Sequence, residues 1–112
     1  MSHSTKFKGT AAATAATARD LDKTYDLARR YLEGIGVIKN EARGITLLEQ
    51  LVAQGHAGAQ CELGVCLDKG RGVTQDLVRS AALYNLAAGQ GHAGAQFNLG
   101  VCYALSAGVV KD

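Results

Sequence analysis

Residues 55–60 read Gly55-His56-Ala57-Gly58-Ala59-Gln60, and the same six letters return 36 residues later as Gly91-His92-Ala93-Gly94-Ala95-Gln96. The register extends beyond the hexamer. Leu27, Leu63 and Leu99 share it, as do Gly36, Gly72 and Gly108, then Val37, Val73 and Val109. Asn40, Asp76 and Asp112 close each unit. A period of this length marks a stacked repeat protein, whose units bury their apolar faces against one another. Such a chain offers a partner an extended surface and does not by default offer a reaction pocket.

The second repeat is the most complete. From His56 or Ala57 to about Asp68, small and apolar residues recur at helical spacing, with Ala59, Leu63 and Cys66-Leu67 on one face. Gly64 falls inside this helix, with Ala28 and Gly100 at the same point of the other repeats. A small residue there each time predicts a close helix crossing. Gly70 ends the helix in a left-handed conformation, Val73 plugs the turn into the core, and Asp76 caps the next helix. That helix runs to about Ala88, with Leu77, Ala81, Tyr84 and Ala88 at helical spacing. Shifted by 36 residues, the pattern predicts helices at about 21–33, 40–54 and 92–105. The expected total is five.

Composition limits the rest. A chain of 112 residues is one domain, and 47% hydrophobic content supplies a core. With no Trp, two Phe and four Tyr, Ala and Leu carry most of the packing. No Pro interrupts a helix, and 14 Gly mark the turns. The net charge of +2 comes from Lys6 and Lys8, since positive and negative side chains balance over residues 19–112. A neutral body has no basic stripe to follow a phosphate backbone, so no nucleic-acid partner is expected. No apolar run reaches the length of a membrane span. Thr10, Thr14 and Thr17 interrupt the Ala-rich stretch after Lys8, which rules it out as a signal-peptide core. Residues 1–18 are read as a flexible Ala/Thr-rich leader that turns helical near Ala15 to Ala18. A cytoplasmic location is expected.

With the pattern G-H-A-x-A-Q-x-x-L-G followed by G-x-G-V-x-x-D, residues 20–112 resemble the Sel-1-like repeats of the tetratricopeptide-like α-solenoids. The repeats fall at about 20–55, 56–91 and 92–112, the last incomplete, within a domain of residues 19–112. Asp20-Leu21-Asp22-Lys23-Thr24 replaces the hexamer in repeat one, and Ser106 replaces the first turn glycine in repeat three. The resemblance implies an all-α, right-handed superhelix of antiparallel helix pairs. It also implies a scaffold or adaptor that holds a protein or peptide on its concave side. Some secreted relatives link the helices of each repeat by a disulfide. Here only Cys61 matches, its partner position being Ala53, or Gly89 one repeat on. Cys61, Cys66 and Cys102 are therefore expected as buried thiols.

Chemical candidates are weak. His56, Cys61 and Cys66 are five residues apart, which fans them around a helix axis, so no metal site is expected. His56 and His92 are read instead as residues that set the junction between repeats. There is no Ser-x-x-Lys, no phosphate loop and no His-Glu-x-x-His, so neither catalysis nor a cofactor is expected. The surface remains. On the first helix of each repeat, Asp26, Arg29 and Glu33 form a stripe continued by Glu62, Val65 and Lys69, then Asn98, Val101 and Leu105. This stripe is the candidate partner face, and it grows more apolar toward the C-terminus. Phe97, Tyr103 and Leu105 form a candidate association end. Through it a homodimer, or a structural subunit that self-assembles, is the alternative to an adaptor.

Overall fold

Short polar side chains define where the helices begin. Asn40 Oδ1 accepts from the backbone N–H of Arg43 at 3.0 Å, and Asp76 Oδ1 accepts from that of Arg79 at 3.0 Å. Each occupies donors that the first helical turn leaves free. His56 and His92 do the same with a ring nitrogen. Their Nδ1 atoms accept from Ala59 N–H and Ala95 N–H at 3.0 and 3.1 Å. At the other ends, Gly34 and Gly70 close their helices at φ 74° and 68°, left-handed values that a side chain rarely tolerates.

A computed structural model describes residues 17–105 and 107–109. The expected leader, apart from Thr17 and Ala18, lies outside the described residues. Five helices follow: α1 Ala18–Glu33, α2 Glu41–Ala53, α3 Ala57–Lys69, α4 Leu77–Gly89 and α5 Ala93–Leu105. They stack in chain order, each packing on the next, as a right-handed solenoid of antiparallel pairs. The first helix begins three residues before the expected position. Thr17 and Asp20 form a reciprocal capping box there, the hydroxyl accepting from Asp20 N–H and the carboxylate from Thr17 N–H.

Two apolar clusters run through the stack. The first joins Ala28 and Leu32 of α1, Ile45, Leu48 and Leu51 of α2, Ala59, Leu63, Cys66 and Leu67 of α3, and Leu83 of α4. The second joins Cys61, Ala81, Tyr84, Ala87, Ala95 and Cys102. Burial on α3 is wider than the single expected face. Gln60, Cys61 and Gly64 are buried as well, because α3 has packed neighbours before and after it. Val73 packs against the first cluster from the turn, as expected.

Small residues set the distance between paired helices. A Cβ at Gly64 would lie 2.6 Å from Cε1 of Tyr84. Ser80 uses the same closeness to donate its hydroxyl to the Gly64 carbonyl at 2.6 Å. In repeat one the glycine is on the opposite helix. Gly44, at the register position of Ser80, lies where a Cβ would be 2.8 Å from Cγ of Leu32 and 3.0 Å from the Ala28 carbonyl oxygen. Either way one member of the pair gives up its side chain.

All three cysteines are buried, in line with the sequence reading. Burial, and then the Glu62 carboxylate, push the Cys66 thiol from its ordinary 9.0 up to about 11. Burial also pushes the Tyr84 phenol from 10.0 up to about 12. Both folded-state values are raised, so their contribution to stability is complete below the unfolded values and is lost as pH rises through the folded ones. Urea unfolding midpoints should therefore hold to about pH 9 and fall between about pH 9 and 12, Cys66 acting at the lower end of that window and Tyr84 at the upper. Cys66→Ala should remove part of that slope. An unchanged slope in this variant would show that Cys66 does not carry it.

Candidate interaction surface

The first helices of successive repeats touch along one side. Arg29 of α1 faces Glu62 of α3 at 3.9 Å, and its guanidinium lies 5.8 Å from the centroid of the Tyr25 ring. That ring packs on Gly58, where a Cβ would be 3.2 Å from Cε2, and meets the His56 imidazole at 4.9 Å between centroids. One repeat on, Cys61 takes the place of Tyr25 and Gly94 that of Gly58. A Cβ at Gly94 would lie 3.9 Å from Cys61 Sγ, and the amide nitrogen of Asn98 approaches that sulfur to 3.8 Å. The third residue in this register is Phe97, which is 72% exposed.

His56 joins the repeats electrostatically. Its Nδ1 accepts the α3 capping bond, which places the proton on Nε2. Nε2–H then donates to Asp22 Oδ1 of α1 at 2.8 Å. His92 has the capping bond, but Gly58 stands where Asp22 would stand for it. Beside this junction a groove of about 510 Å³ opens between the first half of α1 and the turn into α3, with Leu21, Asp22, Tyr25, Gln54, His56 and Gln90 on its walls. Gln90 donates to the Gly55 carbonyl and to the Gln60 side chain, both at 2.9 Å, which holds the groove floor to the next repeat. Burial first, then the Glu62 carboxylate, push the Tyr25 phenol from 10.0 up to about 12.

The stripe read from sequence is only partly assembled as a unit. Arg29 and Glu62 meet, and Val65 packs with Cys61 near Asn98. Asp26 turns to Arg30 of its own helix at 3.0 Å. Glu33 is drawn toward the turn after α3, where its carboxylate accepts from Arg71 at 2.8 Å. Lys69 and Leu105 are exposed at the C-terminal ends of α3 and α5, while Val101 and Tyr103 are exposed along α5. Tyr25 was absent from the stripe, although the 36-residue register places it with Cys61 and Phe97. The pairing of Asp22 with His56 is 34 residues apart and leaves no trace in that register.

Among the described residues no group of three His, Cys, Asp or Glu side chains is placed to hold a metal ion. No described helix is long and apolar enough to cross a membrane.

The Sel1 repeat family matches residues 24–56, 57–92 and 93–112. No curated protein sequence matches the chain. Similar solved structures include the following two. One is a Sel1 repeat protein from Oxalobacter formigenes, with 38% identity and a TM-score of 0.75 over 83% of this chain and 70% of that one. The other is c5321, a protective antigen of uropathogenic Escherichia coli strains displaying an SLR fold. It has 33% identity and a TM-score of 0.78 over 82% of this chain and 20% of that one. The glycine-seated helix packing, the histidine caps and the three matched repeats have one common account: the chain belongs to the Sel1 repeat family.

Proposed function

We propose that this chain is a non-enzymatic adaptor that binds a protein or peptide along the side formed by α1, α3 and α5. The observation that carries the reading is the groove beside Tyr25, whose ring carries the Arg29 guanidinium that faces Glu62; Val101, at the register position of Arg29 on α5, is exposed. Such a surface suits a segment that is polar at the α1 end and apolar at the α5 end. Buried thiols are consistent with a reducing compartment, and a cytoplasmic location is part of this proposal. Photo-crosslinking residues placed at Asp26 and at Val101 should capture one protein from a lysate of the native host. Residues placed at Leu86 on α4 and at Ile38 in the α1–α2 turn, both exposed, should not. Equal capture at all four positions would overturn the assignment of the binding side.

A further inference from the structure

Repeats two and three each begin on a histidine cap, and the two caps face different neighbours. His56 Nδ1 accepts from Ala59 N–H at 3.0 Å, and His92 Nδ1 accepts from Ala95 N–H at 3.1 Å. An accepting Nδ1 carries no proton, so each neutral ring holds its proton on Nε2. A second proton can enter only at Nδ1. It takes the lone pair that the cap uses, and it sets a cation against the positive end of the helix.

The consequence differs at the two junctions. From α1, Asp22 meets His56 Nε2 at 2.8 Å and Tyr25 lies against the ring, with Glu62 of α3 beyond it; the uncharged Gln90 closes the same groove. An imidazolium at His56 therefore gains a carboxylate already at hydrogen-bond distance. At the register position of Asp22, the residue for His92 is Gly58. The side chain that α3 places near His92 is Cys61. A Cβ at Gly94 would lie 3.2 Å from His92 Cε1 and 3.9 Å from Cys61 Sγ. Burial, and then Glu62, push that thiol up, so it is uncharged. From the α4 side the His92 N–H donates to the Ala87 carbonyl, and residues 87–91 carry no charge. Among the described residues no carboxylate pairs with His92 as Asp22 pairs with His56. Other polar ties are missing there too. Shifted by 36 residues, the Arg29–Glu62 pair becomes Val65 and Asn98, and Arg71 becomes Ala107.

We infer that the junction of repeats two and three is an acid-sensitive joint. Protonation of His92 loosens the first turn of α5, which seats Ala95 in the second apolar cluster with Cys61, while Asp22 keeps α3 seated on α1. The neutral ring is the form the fold uses. Its contribution is present above the ordinary imidazole value of about 6.5 and is lost as pH falls below it. Because α5 carries Asn98, Val101 and Leu105, acid dismantles that end of the α1–α3–α5 side first. The joint does not depend on whether that side binds a partner, and its test reads the fold alone.

Native-state amide hydrogen exchange of the full chain, expressed as protection relative to the intrinsic rate at each pH, reads the helices separately. Between about pH 7.5 and 5.5 the protection of α5 should fall about fivefold to tenfold, the size of a lost cap, while that of α3 stays within about twofold. His92→Asn supplies a side-chain acceptor that does not titrate, so α5 should keep its protection over the same range. Asp22→Asn leaves an acceptor for His56 Nε2–H but removes the charge, and α3 should then lose protection in acid as α5 does. Constant α5 protection in the unmodified chain would overturn the inference. An undiminished acid loss in His92→Asn would do so as well, by assigning the loss to another group. Equal losses in α3 and α5 of the unmodified chain, or an α3 that stays acid-stable in Asp22→Asn, would show that Asp22 does not separate the two junctions and would overturn it too.

Discussion

Gly64→Leu should lower the stability of this fold by about 3 kcal/mol, while Gly100→Leu should raise it by about 0.5–1 kcal/mol. The two glycines hold the same repeat position, so composition and helix propensity cannot distinguish them. Packing does. At Gly64 the first side-chain atom alone would overlap the Tyr84 ring, and Tyr84 is 2% exposed and cannot swing aside. The larger side chain would also push Ser80 off the Gly64 carbonyl. At Gly100 nothing is displaced, and replacing a glycine inside a helix by leucine recovers most of its propensity penalty. A loss of about 3 kcal/mol is a large share of what holds a small domain together. Chemical denaturation of the two single variants measures the contrast. Tyr84→Ala should cost less in the Gly64→Leu background than in the unmodified chain, because truncating the ring makes room for the new side chain. Equal effects at Gly64 and Gly100 would mean that the α3–α4 crossing does not depend on the missing Cβ.

This contrast also marks how far the sequence could be read. The 36-residue register located the turns, the left-handed Gly70, the Asp76 cap, the histidine junctions and the small residue at the helix crossing. All of these are encoded within one repeat, by residues a few positions apart. The capping box of Thr17 and Asp20 is equally local, but repeat one carries Asp20-Leu21-Asp22 where the hexamer stands elsewhere, so the register gave no guide to it. The contacts that join one repeat to the next were not legible. Asp22 with His56, Glu33 with Arg71 and Glu49 with Arg79 lie 34, 38 and 30 residues apart. Which side chains meet across that distance depends on the rotation between successive helix pairs, and no spacing along the chain expresses that rotation. The candidate stripe suffered for this reason at Glu33, which Arg71 engages from across the repeat boundary, whereas Asp26 pairs with Arg30 one turn on in its own helix.

Arg71 is the residue in which that between-repeat geometry is most concentrated, and Arg71→Ala should destabilise the fold by about 1–2 kcal/mol. It stands in the turn after α3 and reaches back across the repeat boundary. Its Nη2 donates to the Leu32 carbonyl at 2.6 Å and to Glu33 at 2.8 Å, and its Nε donates to Glu41 at 3.3 Å. Leu32 is in the last turn of α1, where helix carbonyls lack a partner within the helix. One guanidinium therefore ties the end of α1, the start of α2 and the α3 turn together. The register positions on either side are Ile35 and Ala107, neither of which can do so. Its side chain is about 29% exposed, so water screens the carboxylate bonds and keeps the expected loss modest. Arg71→Lys should lose most of the same stability, since an ammonium lacks the planar fork that serves three acceptors at once. Arg71 also holds the Glu33 carboxyl below its ordinary 4.5, through the hydrogen bond first and the charge second. A lowered folded-state value contributes stability above the unfolded value and loses it as pH falls through the folded one. Acid unfolding below about pH 4.5 should thus be less steep in Arg71→Ala than in the unmodified chain. Raised salt should narrow the gap between the two chains without closing it, because the bond to the Leu32 carbonyl does not depend on a pair of opposite charges. If salt closed the gap completely, the latch would be the carboxylates alone, and the end of α1 would be held by its own cap at Gly34.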